Sequence, residues 1–301
     1  MSATNDSDLA GAYAGERIFL IGNGPSLAET PLDALEDEYT MAMNRIDLIY
    51  DTVAWRPDFY ICMRDKPITQ GPLRTSVDVH IEMDDVLVFL NELQRNHVQS
   101  NKETHFFLLD DIRHHNPTPY DLSLDELQYV DLGWLESFWS YNPGEILYGF
   151  HTMYKAFQLI LWMGFEEIYI LGADLNYGTK LYMVINNNID PVDYGGNAVA
   201  YLSQAWRDNK LPSAVVNGVA LKLLHSVSQS RILGGVGNFS NDHFAENYSN
   251  VIYSAERQRE LIKAHLVTKR IADSKEVDVF NATLGGDLEV YPRASLQSVL
   301  D

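Results

Sequence analysis

A chain of 301 residues is long enough to bury one large core, and its 46% hydrophobic and 21% charged residues are typical of a globular protein rather than a disordered one. The formal net charge of −20 excludes the basic surface that nucleic acids and anionic membranes require, so neither is an expected partner. The single cysteine, Cys62, excludes an internal disulfide.

The N-terminal segment 1–15 is polar and acidic, and it lacks the basic and apolar regions of a signal peptide. We expect it to be flexible. The most apolar window, FQLILWMGF at 157–165, is too short to span a bilayer. A cytoplasmic protein without stable membrane insertion is therefore expected.

Short apolar runs recur along the chain and predict the strands of a sheet. They are mostly apolar rather than alternating, which is typical of strands that helices cover on both faces. The predicted strands are 17–22, 39–44, 58–63, 77–82, 104–109 and 166–172.

Segments with helical spacing of apolar residues lie between and after these runs. The predicted helices are 83–96, 149–164 and 254–275, and a further helix start is expected at 30–33, where a threonine precedes a proline. This alternation predicts an α/β fold, Rossmann-like and doubly wound, with a mainly parallel sheet in a single domain over 16–301.

The region 176–250 differs from the rest because it is rich in Gly, Asn, Tyr and Ser. Polar segments of this length are usually functional or disordered. It follows the predicted strand 166–172 directly, so it would begin at the carboxyl edge of the sheet, where open α/β sheets bind ligands. We interpret 176–250 as a polar lid on the acceptor side.

The sequence GNGPSL, residues 22–27, ends the first predicted strand. Glycine lets the backbone turn sharply and approach a ligand. Ser26 and Glu29 have the spacing of a helix capping box, which would point the first helical amides at an anion. The motif is neither GxGxxG nor a P-loop, so a dinucleotide-binding or P-loop assignment fails. A tight turn without a ligand is the alternative.

Asn44 ends the second predicted strand, on the same edge as Asn23. Paired amides suit a nucleotide base or a sugar hydroxyl, and the alternative is that a strand-end asparagine simply closes a turn. A second polar group follows the strand 166–172, and its tyrosine hydroxyls could stabilise a departing phosphate without a metal, or simply pack the lid. The members of this group are Asp174, Asn176, Tyr177 and Tyr182.

His243 lies in the polar stretch NFSNDHFAENYSN, residues 238–250. Histidine is the commonest general base near neutral pH, although a lone histidine is more often structural. The other histidines show no HExxH or comparable metal-binding spacing.

Three features together resemble the bacterial sialyltransferases of glycosyltransferase family 42: the GNGPSL turn, the asparagine after the next strand, and the block GFEEIYILGAD at 164–174. The same core occurs in the wider domain of unknown function 115 group, which includes the motility-associated factor flagellin glycosyltransferases and the archaeal 6-hydroxymethylpterin pyrophosphokinases. The segment 277–300 looks like the ending of many members of that group. The resemblance therefore runs from about Arg17 to Leu300.

The resemblance implies an inverting, metal-independent glycosyltransferase without a cofactor. It would move a nonulosonic acid such as sialic acid from a CMP-activated donor to a glycan or protein acceptor, and it is compatible with a homo-oligomer. Tyr182 would support the departing phosphate, together with Tyr177 or Asn176, and His243 would deprotonate the acceptor. Asn23 and Ser26 would contact the phosphate and ribose region. The implied donor-binding residues are Gly22, Asn23, Gly24, Ser26, Asn44, Gly149, Asp174 and Asn176.

This chain departs from the sialyltransferases at two places. Met63-Arg64-Asp65 stand where those enzymes have an asparagine after the third strand, and Tyr148-Gly149 stand where they have Ser-Gly at the start of the central helix. The sugar and the nucleotide of the donor are therefore left open.

Two other functions remain as alternatives. A Mg²⁺-dependent 6-hydroxymethylpterin pyrophosphokinase would need carboxylates for its metal, and only Asp65 stands after the third strand. The other alternative is a non-catalytic nucleotide-binding module. An anionic donor must approach a strongly acidic chain, so we expect positive potential at the site, with Arg45 and Arg64 as the candidates.

Overall fold

The computed structural model of the chain describes residues 8–98, 104–111, 116–141, 145–148, 151–175, 244 and 255–301. Within these ranges the protein is an α/β fold built on one eight-stranded sheet. The strands are β1 Arg17–Ile21, β2 Tyr39–Met43, β3 Phe59–Cys62, β4 Leu87–Asn91, β5 Thr104–Asp111, β6 Glu145–Tyr148, β7 Glu167–Leu171 and β8 Asp278–Asn281.

Helices flank this sheet. The α-helices are α1 Pro72–Glu82, α2 Leu124–Tyr129, α3 Leu132–Glu136, α4 Thr152–Met163, α5 Ala255–Ser274 and α6 Leu296–Leu300. Short 3-10 helices span Pro25–Glu29, Leu32–Leu35, Ile46–Ile49, Glu92–Gln94 and Pro119–Asp121.

The order of the strands is β6-β5-β4-β3-β2-β1-β7-β8, and all neighbouring strands pair in parallel. The chain advances in one direction from β1 to β6 and then returns through α4 to the other side of β1. The strand order therefore reverses between β1 and β7, and open α/β sheets bind ligands outside the carboxyl ends of the strands at such a point. The predicted Rossmann-like fold class is confirmed.

Successive residues of each strand are buried on opposite faces of the sheet. In β1, Ile18 and Leu20 join a core cluster with α4 and α5, whereas Phe19 and Ile21 join a second cluster with α1. All four side chains are fully buried. Burial on both faces explains why the strands read as continuous apolar runs. Polar side chains consequently collect at the ends of the strands.

The prediction of a strand over 77–82 is wrong, because this segment is the C-terminal half of α1. Gly71 precedes the helix and Pro72 opens it, which is a common helix start. Val77, His80 and Ile81 are buried at helical spacing. Val77 and Ile81 also fit an alternating strand, so their spacing alone does not separate the two structures.

The prediction of one helix over 83–96 is also wrong, because β4 occupies the centre of that segment. Val88 and Leu90 pack in the core on one face of the sheet and Phe89 packs on the other. Asn91 then caps a short 3-10 helix, its side chain accepting a hydrogen bond from the N–H of Leu93 at 3.0 Å. The predicted helices at 149–164 and 254–275 correspond to α4 and α5, whereas β6 and β8 are not among the predicted strands.

Among the residues that the structure describes, no helix combines the length and the apolar character needed to cross a membrane. The predicted lid, 176–250, lies outside the described residues apart from Phe244. Within the N-terminal segment 1–15, Gly11 and Tyr13 donate backbone hydrogen bonds to the end of α4, at 3.0 and 2.9 Å.

Candidate functional site

The turn after β1 is hydrogen-bonded to the turn after β7. The N–H of Gly22 donates to the carbonyl of Leu171 at 2.7 Å, and the N–H of Gly24 donates to the carbonyl of Gly172 at 2.8 Å. A Cβ at Gly24 would lie 2.8 Å from the Gly172 oxygen and would overlap the Asp174 carboxylate. The close approach of the turn after β1 to the turn after β7 therefore requires a glycine at position 24.

Asp174 occupies the position at the GNGPSL turn where an anion was expected. Its carboxylate accepts a hydrogen bond from the backbone N–H of Ser26 at 3.2 Å and from the Ser26 hydroxyl at 2.8 Å. The expected capping box between Ser26 and Glu29 does not form, because the 3-10 helix begins after Gly24 and has no side-chain cap. Burial raises the pKa of Asp174, while the hydrogen bonds from Ser26 and the charge of Arg293 oppose that shift.

Asparagines recur at the carboxyl ends of the strands, and two of them are fully engaged by the backbone. In Asn91 and Asn281 the Nδ2 group donates to a carbonyl, at 2.6 and 2.7 Å. In both residues Oδ1 accepts from the N–H two residues later, at 3.0 Å. These two side chains therefore have a structural role that needs no ligand.

Asn23 and Asn44, after β1 and β2, differ from that pair. Asn23 is 9% exposed, and its Nδ2 donates to the carbonyl of Met43 at 3.0 Å. A carbonyl can only accept, so the orientation of this amide is fixed with Oδ1 pointing away. Among the described residues, Oδ1 of Asn23 and Oδ1 of Asn44 are buried without a hydrogen-bond partner. Such an acceptor costs about 1–3 kcal/mol, which a ligand that donates a hydrogen bond would offset.

The backbone of Asn44 is held in the left-handed conformation, with φ +52°. Asparagine tolerates this conformation better than most residues. Its carbonyl accepts hydrogen bonds from the Tyr60 hydroxyl at 2.7 Å and from the Ser76 hydroxyl. Two hydroxyls thus fix the peptide from which the Asn44 side chain projects.

His80 supports this arrangement from α1. Its ring stacks on Tyr60 with the centroids 3.6 Å apart. Nδ1 lies 2.7 Å from the Ser76 carbonyl and must donate to it, so the neutral ring accepts at Nε2 from the Tyr50 hydroxyl, 2.6 Å away. Burial lowers the pKa of His80 to about 4, so the ring is neutral at physiological pH.

The N-terminus of α4 adjoins Asn44. The Nδ2 of Asn44 lies 3.3 Å from the Thr152 hydroxyl. One turn further, Lys155 is 3% exposed and its Nζ donates to the carbonyl of Met63, after β3, at 2.5 Å. Sequence reasoning missed Lys155 because it lies in the apolar helix TMYKAFQLILWM. The available signal was a single cation in an otherwise apolar helix.

The structure therefore brings six of the predicted donor-binding residues to one edge of the sheet. They are Gly22, Asn23, Gly24, Ser26, Asn44 and Asp174. Of the two predicted cations, Arg45 is partly buried and Arg64 is exposed.

The predicted catalytic residues and two predicted donor-binding residues lie outside the described residues. They are Tyr177, Tyr182, His243, Gly149 and Asn176. Phe244, which follows His243 in the chain, donates its backbone N–H to the carbonyl of Asn23 at 3.1 Å. Within the described ranges, no three or more His, Cys, Asp or Glu side chains are grouped so as to hold a metal ion.

Comparison with known proteins gives one distant similarity. No family model and no curated protein matches the chain. Among solved structures, the MAf glycosyltransferase from Magnetospirillum magneticum AMB-1 is similar, with 12% sequence identity and a TM-score of 0.45. The matched region covers 97% of this chain and 38% of that one, so the chain spans well under half the length of that protein.

Proposed function

We propose that this protein is a glycosyltransferase that binds a nucleotide-activated sugar at the carboxyl edge formed by β1, β2 and α4. The donor is a CMP-activated nonulosonic acid of the sialic acid type, and the acceptor is a hydroxyl of a glycan or a protein. The proposal combines the motif resemblance with the geometry of this edge. No metal and no cofactor take part in the proposed reaction.

One observation carries the proposal: among the described residues, Asn23 and Asn44 keep buried acceptor oxygens without a partner, whereas Asn91 and Asn281 use both halves of their amides within the fold. All four follow or end strands of the same sheet, so the strand-end position does not account for the difference. Amino and hydroxyl groups of a base or a sugar are donors of the kind that Asn23 and Asn44 lack.

His243 is proposed as the general base and Tyr182 and Tyr177 as the phosphate-supporting residues. The contact of Phe244 with Asn23 supports a role for the neighbouring His243 at this edge. In the proposed step, the acceptor hydroxyl attacks the anomeric carbon while His243 takes its proton. The bond between the anomeric carbon and the phosphate oxygen breaks, its electron pair stays on the departing CMP, and the tyrosine hydroxyls stabilise that charge.

Calorimetric titration tests the proposed donor class. CMP is expected to bind equally well with Mg²⁺ and with EDTA. ATP that binds only with Mg²⁺, with no binding of CMP, would reject the proposal in favour of the pyrophosphokinase.

Release of CMP from a CMP-activated nonulosonic acid then tests turnover, and His243→Ala is expected to lose that release while still binding CMP. Binding of CMP without any turnover of activated sugars would instead indicate a binding module.

A pair of asparagine variants tests the site. Asn23→Ala is expected to weaken CMP binding by about 5-fold or more, because one hydrogen bond to the ligand is lost. Asn91→Ala is the matched control at another strand end, and it is expected to lower thermal stability while leaving the Kd for CMP unchanged. Equal effects of the two variants on CMP binding would remove the observation on which the proposal depends.

A further inference from the structure

The backbone turns at Asn44, directly after β2. The N–H of Asn44 still donates to the carbonyl of Ile61 in β3 at 3.2 Å, so this residue continues the pairing of the two strands. Its φ of +52° then takes the chain into the left-handed conformation, which is unfavourable for a residue with a Cβ. A glycine would make the same turn without strain, so the turn alone does not require an asparagine.

Two hydroxyls from different elements hold this turned peptide. The Tyr60 hydroxyl, from β3, donates to the Asn44 carbonyl at 2.7 Å, and the Ser76 hydroxyl, from α1, donates to the same oxygen. Both Tyr60 and Ser76 are fully buried. One donor is enough to satisfy a buried carbonyl, whereas two donors from different elements also fix its direction.

His80 holds both of these donors in turn. Its ring stacks on the Tyr60 ring with the planes 7° from parallel, and its Nδ1 donates to the Ser76 carbonyl at 2.7 Å. The Tyr50 hydroxyl, 2.6 Å from Nε2, fixes the tautomer of the ring. Buried polar networks of this kind favour a single conformation. This network ends at the peptide of Asn44 and restricts that peptide.

The network engages the backbone of Asn44 and leaves its amide oxygen unused. Nδ2 lies 3.3 Å from the Thr152 hydroxyl on α4, and Oδ1 is buried without a hydrogen-bond partner in the part of the chain that the structure describes. Strained non-glycine residues that are held by the surrounding structure cluster at ligand-binding positions. The rigid peptide thus fixes where the unsatisfied oxygen is presented.

We infer that Tyr60 and Ser76 are positioning residues of the proposed donor site, which act on the nucleotide through Asn44 and do not contact it. This inference rests on the proposed nucleotide-binding function. The two hydroxyls keep Asn44 in its left-handed conformation before the nucleotide arrives, so binding pays little for ordering the turn. Removal of a hydroxyl therefore weakens binding although no contact to the ligand is lost.

Calorimetric titration with CMP tests the inference on a matched pair of tyrosine variants. Tyr60→Phe removes a hydroxyl that holds Asn44 and is expected to weaken CMP binding about 3- to 10-fold. Tyr154→Phe is the control, because Tyr154 is also fully buried and donates its hydroxyl to a backbone carbonyl, that of Phe138, which lies outside the proposed site. It is expected to lower thermal stability and to keep the Kd for CMP within about 2-fold of the wild type. If Tyr60→Phe does not fold, Ser76→Ala replaces it with the same expected loss.

A second background shows whether the loss passes through Asn44. Asn44→Gly keeps the left-handed turn without strain and removes the amide, so it is expected to weaken CMP binding about 5-fold or more. In the Asn44→Gly background, Tyr60→Phe is expected to change CMP binding less than about 2-fold, because no side chain remains to be positioned. A purely structural role of the Tyr60 hydroxyl would give the same loss in both backgrounds.

The inference is overturned, with CMP still bound by the wild type, if Tyr60→Phe binds CMP like the wild type, if Tyr154→Phe loses as much affinity, or if Asn44→Gly leaves the loss from Tyr60→Phe unchanged. Failure of the proposed function has a different signature. A wild type that binds ATP with Mg²⁺ but not CMP rejects the glycosyltransferase, and the same variants titrated with ATP then decide the inference. A wild type that binds neither nucleotide overturns both.

Discussion

Acidification is expected to destabilise this protein through histidines that are buried in the neutral form. His80 is fully buried, and its pKa is lowered by burial from 6.5 to about 4. The folded pKa lies below the unfolded one. The stability contributed by neutral His80 is therefore complete above about pH 6.5 and is lost as the pH falls toward 4. His265, whose pKa burial lowers to about 3, acts in the same direction.

The magnitude follows from the unfolded state. Between pH 7 and about pH 5.5 an unfolded histidine takes up most of one proton, whereas both buried rings remain neutral. Each histidine then removes about 1.3 kcal/mol from the free energy of unfolding over this interval. For His80 this value changes little if its folded pKa is anywhere below about 5.

Urea unfolding followed by tryptophan fluorescence, at pH 7 and at about pH 5.5, measures the loss. His80→Gln is expected to lose about 1.3 kcal/mol less than the wild type over this interval, whatever its stability at pH 7, because the carboxylates contribute equally to both proteins. His97→Gln, at an exposed position, is the control and is expected to behave as the wild type. An identical loss in His80→Gln and the wild type would refute the account of His80 as a neutral, buried acceptor for Tyr50.

Two further perturbations have expected outcomes. Gly24→Ala forces a Cβ into the Asp174 carboxylate, so it is expected to destabilise the fold by about 1–3 kcal/mol and to weaken CMP binding. Gly133→Ala, within α3, places a Cβ 3.3 Å from an Asp131 side-chain oxygen and is expected to change stability by less than about 1 kcal/mol in either direction, with CMP binding unchanged. Urea unfolding and calorimetry check both variants, and an equal loss of CMP binding in the two would contradict the close approach at Gly24. Gln158→Leu removes the side chain that accepts from the N–H of Leu147 at 2.9 Å and donates to its carbonyl at 2.8 Å. It is expected to cost about 2–4 kcal/mol and to speed hydrogen exchange in β6, and unchanged exchange at Leu147 would contradict the role of Gln158 as a clamp on that strand.

The most reliable sequence signals came from long or strongly apolar segments. β1 and β7 are buried on both faces and read as unbroken apolar runs, and α4 keeps its helical spacing over three turns. The prediction for 77–82 was wrong because the spacing of its apolar residues fits both a helix and a strand. The prediction for β4 was wrong because the acidic and polar residues on both sides of this strand lengthened the apparent pattern to that of a helix. β6 is a short strand whose pairing with β5 is a long-range contact, which local sequence does not encode.

The sequence by itself was sufficient to predict the fold class. It was also sufficient to predict that GNGPSL, Asn44 and Asp174 lie at one edge of the sheet, because the carboxyl ends of parallel strands meet at the same edge. The tertiary structure alone decided how those groups are used. It placed Asp174 against Ser26 and brought the Lys155 ammonium to the end of β3. It also left Oδ1 of Asn23 without a partner in the part of the chain that the structure describes, whereas the side chain of Asn91 is satisfied. The reason is physical: residue type states which hydrogen bonds a side chain can make, whereas only the packing of distant segments determines which of them the protein itself already makes.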